Sequence, residues 1–179
     1  MSEYLKVGWY TSPVEKLYNA NGKSIIVYDY EVDSYLNKGW SYYPVYSKST
    51  LLNKLNGWWV DLYSCESVGF NNGCFLNYIK FTSSKMEMGS TYSEFTTANI
   101  QSVTYLGNNT YKLSLYVPAQ WFGGYYYGAE YSDFTLEYYG DNEIYVNIYG
   151  EWSAYTFIGT NHTYDSIQRD WRVVDAMNW

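Results

Sequence analysis

The side chains best suited to acid–base or nucleophilic chemistry are few and scattered in this sequence. The single histidine, His162, lies in the segment GTNHTYD without a recognisable serine, cysteine or aspartate motif around it. A glycosidase-like pair would have to come from five carboxylates on predicted strands, Glu130, Asp133, Glu137, Glu143 and Glu151. Acidic residues at such spacings are typical of the solvent-facing side of a sheet. Because the sequence also lacks a glycine-rich phosphate loop and a nucleophile elbow, we predict no catalytic residue and no enzymatic activity.

Two cysteines, Cys65 and Cys74, bracket the segment ESVGFNNG. A hairpin there would bring them together, so the pattern fits a disulfide and equally fits two free thiols on strands. Two cysteines without a nearby histidine do not make a zinc site, since structural zinc takes four protein ligands. We therefore predict neither a metal nor a cofactor.

The strongest binding signal is the segment PAQWFGGYYYGAEYSDF, residues 118–134, which connects two predicted strands. Its candidate ligand-binding residues are Trp121, Phe122, Tyr125, Tyr126 and Tyr127. Connecting loops are usually polar, so a loop this aromatic either folds over the hydrophobic core or meets a partner. At a barrel mouth it would cover an apolar cavity, and on an open surface its rings would stack on sugars. We predict a small apolar molecule or a glycan as the ligand.

The charge of the chain excludes some partners. Its net charge is -7, with only 11 Lys and Arg residues, which argues against binding nucleic acid or an anionic lipid surface. No stretch reaches the roughly 18 apolar residues that a membrane-spanning helix needs. The start of the sequence, MSEYLKVGWY, has no apolar signal-peptide core. We therefore expect that the chain is either cytoplasmic or part of a protein whose signal peptide lies upstream.

The elements that must position the aromatic segment are predicted to be strands. Aromatic residues make up 22% of the chain and 25 residues are tyrosine, a composition that favours strands over helices. The predicted strands cover residues 58–65, 75–81, 85–89, 99–106, 110–117, 131–139, 143–149 and 152–158. Two hairpins turn at Gly107-Asn108-Asn109 and at Gly140-Asp141-Asn142. Eight short strands in sequence order predict an antiparallel meander that closes into a barrel, with a β-sandwich as the alternative.

A repeated phrase distinguishes the N-terminal part. YLKVGW at residues 4–9 recurs as YLNKGW at residues 35–40, an offset of 31 residues. Between the copies, the Asn-Gly of ANGK predicts a hairpin, and Val32, Tyr35 and Leu36 are spaced for the apolar face of a short helix. Gly39 would end that helix and Trp40 would pack on a neighbouring unit. We predict a small ββα repeat region over residues 1–48 and a barrel domain over residues 49–179, with residues 46–56 as a linker or a short helix.

The barrel segment resembles the lipocalin-like (calycin) barrels. LNGWWVDLY, at the start of the eight predicted strands, matches their first-strand Gly-x-Trp signature with Gly57 and Trp59. The resemblance covers residues 52–175 and implies an arginine late in the chain that packs across the tryptophan at the closed end. Arg169 and Arg172 in IQRDWRVV are the candidates for this arginine.

The N-terminal part resembles the YLxxGW tandem repeats of Gram-positive surface proteins. That resemblance implies a secreted or cell-surface bacterial protein in which the repeats act as a spacer or adhesion element. We therefore predict a mainly β, non-catalytic binding protein whose barrel takes a small apolar molecule or a glycan. The alternative is a purely structural or adhesive module that acts through contacts with surface proteins or the cell wall.

Overall fold

The computed structural model describes residues 13–62, 66–68, 73–90, 96–122, 124–140, 142–148, 150–167 and 169–177. The first YLxxGW copy at residues 4–9 and Cys65 lie outside these residues, as does the side chain of Cys74. The chain divides into two compact units: the first contains Met1–Tyr46 and Gly107–Asn109, and the second contains Ser47–Leu106 and Thr110–Trp179. None of the helices in the described part of the chain is long and apolar enough to cross a membrane.

The first unit is a hairpin followed by a short helix. Strands β1 (Val14–Tyr18) and β2 (Ser24–Tyr28) pair antiparallel, and a 3-10 turn (Asp29–Glu31) leads into helix α1 (Val32–Leu36). The side chain of Asn19 supports the turn by accepting hydrogen bonds from two backbone amides of the turn. Leu17, Val27 and Val32 form the buried core of the unit.

The end of helix α1 depends on a glycine. Gly39 has a φ of 83°, which favours glycine because other residues rarely adopt it. The chain then turns back, so that the amide of Trp40 donates to the carbonyl of Tyr35 and the two rings meet edge to face at 5.6 Å. Hairpin and helix are thus present in this copy, whereas the repeat itself stays a prediction, because residues 4–9 are not described.

The second unit begins with helix α2 (Lys48–Leu55). The sequence analysis predicted either a linker or a short helix in this region. Ser47 caps it by accepting a hydrogen bond from the amide of Thr50. Three leucines of this helix are fully or almost fully buried, Leu51, Leu52 and Leu55. The helix leads directly into the first barrel strand, which begins at Gly57.

Eight antiparallel strands form a closed barrel, which confirms the predicted architecture and excludes the sandwich. In chain order they are β3 (Gly57–Val60), β6 (Asn77–Phe81), β7 (Lys85–Ser90), β8 (Thr96–Gly107), β9 (Thr110–Val117), β12 (Glu130–Tyr138), β13 (Glu143–Ile148) and β14 (Glu151–Gly159). Each strand is adjacent to the next in this order, and β14 closes the barrel by pairing with β3. The first barrel strand ends at Val60, earlier than predicted.

In the described part of the second unit, four shorter strands lie outside the barrel sheet as two separate hairpins. Strands β4 (Glu66–Val68) and β5 (Gly73–Phe75) form one of them within the β3–β6 connection. Strands β10 (Gln120–Phe122) and β11 (Tyr125–Tyr127) form the other within the β9–β12 connection.

The barrel strands alternate between an inner and an outer face. Side chains in register with the buried Trp59 point into the barrel; they include Ile79, Phe81, Met86, Leu113, Phe134, Leu136, Ile144, Val146 and Tyr155. On the outer face, Trp58, Val60 and Tyr78 form a second buried cluster. Two C-terminal helices, α3 (Tyr164–Ile167) and α4 (Trp171–Met177), cover this cluster with Ile167 and Val173.

Candidate functional site

The predicted aromatic loop is a two-stranded hairpin rather than an irregular connection. β10 and β11 pair in the register Gln120↔Tyr127 and Trp121↔Tyr126. Gly124, in the turn between them, has a φ of 81°. Strand formation is consistent with the aromatic composition, because aromatic residues favour extended backbone. The sequence signals for this segment pointed to a loop because its two strands have only three residues each.

The side chains of this hairpin face solvent. Of the five predicted ligand-binding residues, the four with described side chains are Trp121, Tyr125, Tyr126 and Tyr127, and their exposed fractions range from 52% to 72%. The side chain of Phe122 lies outside the described residues. The hairpin therefore does not bury these four rings in the core, which was the packing alternative for a loop of this composition.

Specific contacts hold the hairpin together. The rings of Trp121 and Tyr126 lie 5.7 Å apart at an interplanar angle of 60°. The side-chain oxygen of Gln120 accepts a hydrogen bond from the amide of Thr97, at the start of β8, at 3.2 Å. This bond ties the base of the hairpin to the barrel.

A second aromatic pair at the same end of the barrel was not predicted as part of the site. Tyr116, on β9, and Tyr131, on β12, occupy opposite positions in the ladder, and their rings lie 5.2 Å apart. Tyr131 is 80% exposed. Tyr131 belongs to the aromatic segment 118–134 and was therefore visible in the sequence. Its partner Tyr116 became apparent only from the strand register.

The interior of the barrel is partly filled by its own side chains. The rings of Phe81 and Phe134 make contact, and β6 and β12 are on opposite sides of the strand order. At the level of this pair, side chains therefore occupy the space that an internal ligand would need.

The Gly-x-Trp residues lie at the base of the first barrel strand. Trp59 is fully buried, its indole nitrogen donates to the carbonyl of Leu55 at 2.7 Å, and its ring lies 5.0 Å from that of Phe157. Gly57 has a φ of 131°, and a Cβ there would lie 2.7 Å from the Phe157 ring. A side chain at position 57 would thus collide with the strand that closes the barrel.

The two candidate arginines have different environments. Arg172 donates hydrogen bonds to the carbonyls of Phe157 and Ile158 and to both carboxylate oxygens of Asp170. The hydrogen bonds between Arg172 and Asp170 hold the pKa of Asp170 below its usual value and raise the pKa of Arg172. Arg169 is exposed. Only Arg172 of the two therefore reaches the strand that pairs with Trp59.

His162 has neighbours that the sequence did not indicate. Its Nδ1 lies 3.4 Å from the hydroxyl of Ser166, and its Nε2 lies 3.7 Å from Asp170. The residue types are those of a nucleophilic triad, but both distances exceed the about 2.6–3.2 Å expected of one. Ser166 and Thr163 also cap helix α3 reciprocally, and Arg172 engages Asp170. These contacts can hold helices α3 and α4 against the barrel.

The five carboxylates of the sequence analysis lie on strands β12, β13 and β14, and none of them is buried. Asp133 accepts hydrogen bonds from Lys112 at 3.2 Å and Ser114 at 3.0 Å, and the former bond chiefly lowers its pKa. Glu137 and Glu143 accept hydrogen bonds from tyrosine hydroxyls, whereas Glu130 and Glu151 are exposed. Within the described ranges, no group of three or more His, Cys, Asp or Glu residues is arranged to hold a metal ion.

Comparisons of the chain with protein-family models, curated proteins and solved structures find no match.

Proposed function

We propose that this chain is a non-catalytic binding module of a secreted or cell-surface bacterial protein, and that the aromatic hairpin β10–β11 binds a glycan. The observation that carries the proposal is the exposure of four neighbouring aromatic side chains on one short hairpin, each more than half exposed. Exposed aromatic surface is unfavourable in water, and clusters of it mark interaction sites.

Sugars suit this surface for two reasons. One face of a sugar ring presents C–H groups that pack on an aromatic ring, while the sugar hydroxyls need hydrogen-bonding partners. The hairpin supplies the indole ring of Trp121 and the phenolic hydroxyls of three tyrosines, each of which can donate and accept. The net charge of -7 favours neutral or basic glycans over sulfated or uronic acid-rich ones.

A small apolar molecule inside the barrel is less favoured. Such ligands bind in pockets that enclose most of their surface. The contact between Phe81 and Phe134 fills the interior at one level, and the aromatic residues that would have covered a cavity stand in solvent instead.

The test is glycan-array binding followed by affinity electrophoresis in gels that contain the polysaccharides retained. Trp121→Ala should weaken binding at least tenfold, which corresponds to about 1.4 kcal/mol. Trp171→Ala is the matched control, because Trp171 is 73% exposed and Trp121 69% exposed. Unchanged binding of Trp121→Ala, equal losses in both variants, or no glycan bound by the wild type would contradict the proposal.

We also propose that the barrel domain is lipocalin-like and that residues 1–48 are a YLxxGW repeat region. The first proposal is supported by the buried Trp59 beside a glycine that tolerates no side chain, and by Arg172 of helix α4, which donates to carbonyls of the neighbouring strand β14. The hairpin, helix and glycine stop of residues 14–39 support the second. Sequencing the gene upstream of Met1 tests the localisation: a signal peptide and further YLxxGW copies are expected, and an in-frame stop codon would contradict it.

The second candidate function is a structural or adhesive module that contacts surface proteins or the cell wall. The contact between Phe81 and Phe134 inside the barrel favours this structural function, because a barrel packed with its own side chains serves as a rigid support. Binding of intact cell walls by the wild type and by Trp121→Ala alike would favour this function over glycan binding through the hairpin.

A further inference from the structure

A cleft on the outer surface of the barrel lies at the turn between β12 and β13. It has a volume of about 350 Å³ and is lined by Glu137, Tyr139, Glu143 and Tyr145. Strand β12 has nine residues, so at about 3.4 Å per residue the turn is about 27 Å from the end that joins the aromatic hairpin. The cleft is thus separate from the surface that carries the proposed glycan-binding function.

The lining residues belong to a short sequence pattern that occurs twice around this turn. Glu-x-Tyr occurs at Glu137 and Tyr139 and again at Glu143 and Tyr145, on either side of the turn. Because β12 and β13 are antiparallel, Glu137 lies opposite Tyr145. The residues on each side of the turn contribute one carboxylate and one ring. The two tyrosine rings lie 5.8 Å apart and are almost perpendicular, at 89°. The two rings therefore form two perpendicular walls of the cleft.

Each carboxylate is held by the tyrosine two residues after it in the chain. The hydroxyl of Tyr139 donates to Oε2 of Glu137 at 2.7 Å, and that of Tyr145 donates to Oε2 of Glu143 at 3.2 Å. These bonds orient both carboxylates but use only one oxygen of each. The Oε1 atoms make no hydrogen bond to any described residue, so each can accept from a ligand.

The charge of the two carboxylates is not balanced locally. No lysine, arginine or histidine in the described part of the chain forms an ion pair with Glu137 or Glu143. Their partners on the flanking strands are neutral: Thr110 on β9 is opposite Glu137, and Thr156 on β14 is opposite Glu143. By contrast, Asp133 on the same face has Lys112 as a partner. A cation from solution would supply the missing charge.

We propose that this cleft binds a primary ammonium group, such as the end of a lysine side chain, a polyamine or an amino sugar. A primary ammonium has three N–H donors, enough for both open Oε1 atoms, and its charge is attracted to the faces of aromatic rings. A quaternary ammonium has no donor for the carboxylates. A calcium ion takes six to eight oxygen ligands, which is more than the four carboxylate oxygens that line this cleft.

The experiment uses the whole chain and n-butylammonium chloride as the probe, with binding followed by saturation-transfer NMR of the butyl protons. Glu137→Gln/Glu143→Gln keeps side-chain length and an acceptor for each tyrosine, and should lower the affinity at least fivefold. Glu130→Gln/Glu151→Gln removes the same charge from exposed positions and should change it less than twofold. Circular dichroism checks that both variants are folded.

Two further comparisons test specificity. Tetramethylammonium should bind at least fivefold more weakly than n-butylammonium, and calcium should not displace the probe at equal concentration. Equal affinities for the two amines, displacement by calcium, or equal losses in the two double variants would overturn the proposal. Trp121→Ala should leave probe binding unchanged, so this proposal and the glycan-binding function succeed or fail separately.

Discussion

The rings of Phe81 and Phe134 meet inside the barrel with their centroids 6.3 Å apart and their planes at 66°. Their strands, β6 and β12, are separated by three others in either direction around the barrel. The contact therefore crosses the interior and joins opposite walls. It makes this level of the barrel a packed core.

The first prediction concerns this contact. Phe134→Ala should lower the free energy of unfolding by about 3–5 kcal/mol, because it removes a buried ring and leaves a cavity between opposite strands. Urea denaturation followed by circular dichroism measures the change. Tyr131→Ala, on the same strand but 80% exposed, should cost about 1 kcal/mol or less. Similar losses in the two variants would show that Phe134 is not part of a tightly packed core.

The second prediction concerns the glycine at the start of β3. Gly57→Ala should destabilise the chain by about 3 kcal/mol, since the new Cβ would lie 2.8 Å from the carbonyl oxygen of Gly159 at a φ of 131°. Gly128→Ala is the control, because its Cβ would meet nothing within 4 Å, and it should be neutral or slightly stabilising. Thermal denaturation compares the two variants. A Gly57→Ala protein as stable as the wild type would contradict the close approach of β3 and β14.

The third prediction concerns pH. The hydrogen bonds from Arg172 lower the pKa of Asp170 in the folded chain, while an unfolded aspartate titrates near about 3.9. A carboxyl with a lowered folded pKa stabilises the fold above its unfolded pKa, and this contribution is lost as the pH falls through the folded pKa. Between about pH 5 and pH 2, the unfolding free energy of the wild type should therefore fall more steeply than that of Asp170→Asn.

Urea denaturation at several pH values measures this difference. Glu151→Gln is the control, because Glu151 is exposed and forms no ion pair with a described residue. Its pH profile should run parallel to that of the wild type. If Asp170→Asn also runs parallel, the bond to Arg172 does not contribute to stability in acid.

Local patterns in the sequence were enough to predict the barrel strands. The alternation of Ile144, Val146 and Ile148 with polar and aromatic residues has the period of a strand, and Asn108 and Asn109 have the positive φ values of a tight hairpin turn. Eight such segments in order predicted a closed barrel, because closure leaves no exposed strand edge. Boundaries were less accurate where a strand ended without a turn signal, as at Val60.

The same kind of reasoning did not identify which side chains meet. Ser166 and Asp170 lie beside His162, and Tyr116 lies beside Tyr131, but neither neighbourhood follows from a motif. The second Glu-x-Tyr pair was visible in the sequence, yet its meaning depended on the register that places Glu137 opposite Tyr145.

The sequence by itself thus determined the strands, the turns and the acidic, aromatic character of the surface, because these depend on residues that are close together along the chain. Only the tertiary structure decided that Phe81 fills the barrel, that Trp121 stands in solvent and that Arg172 reaches the carbonyls of β14. Those outcomes depend on strand register and barrel closure, which bring together residues that are far apart in the chain.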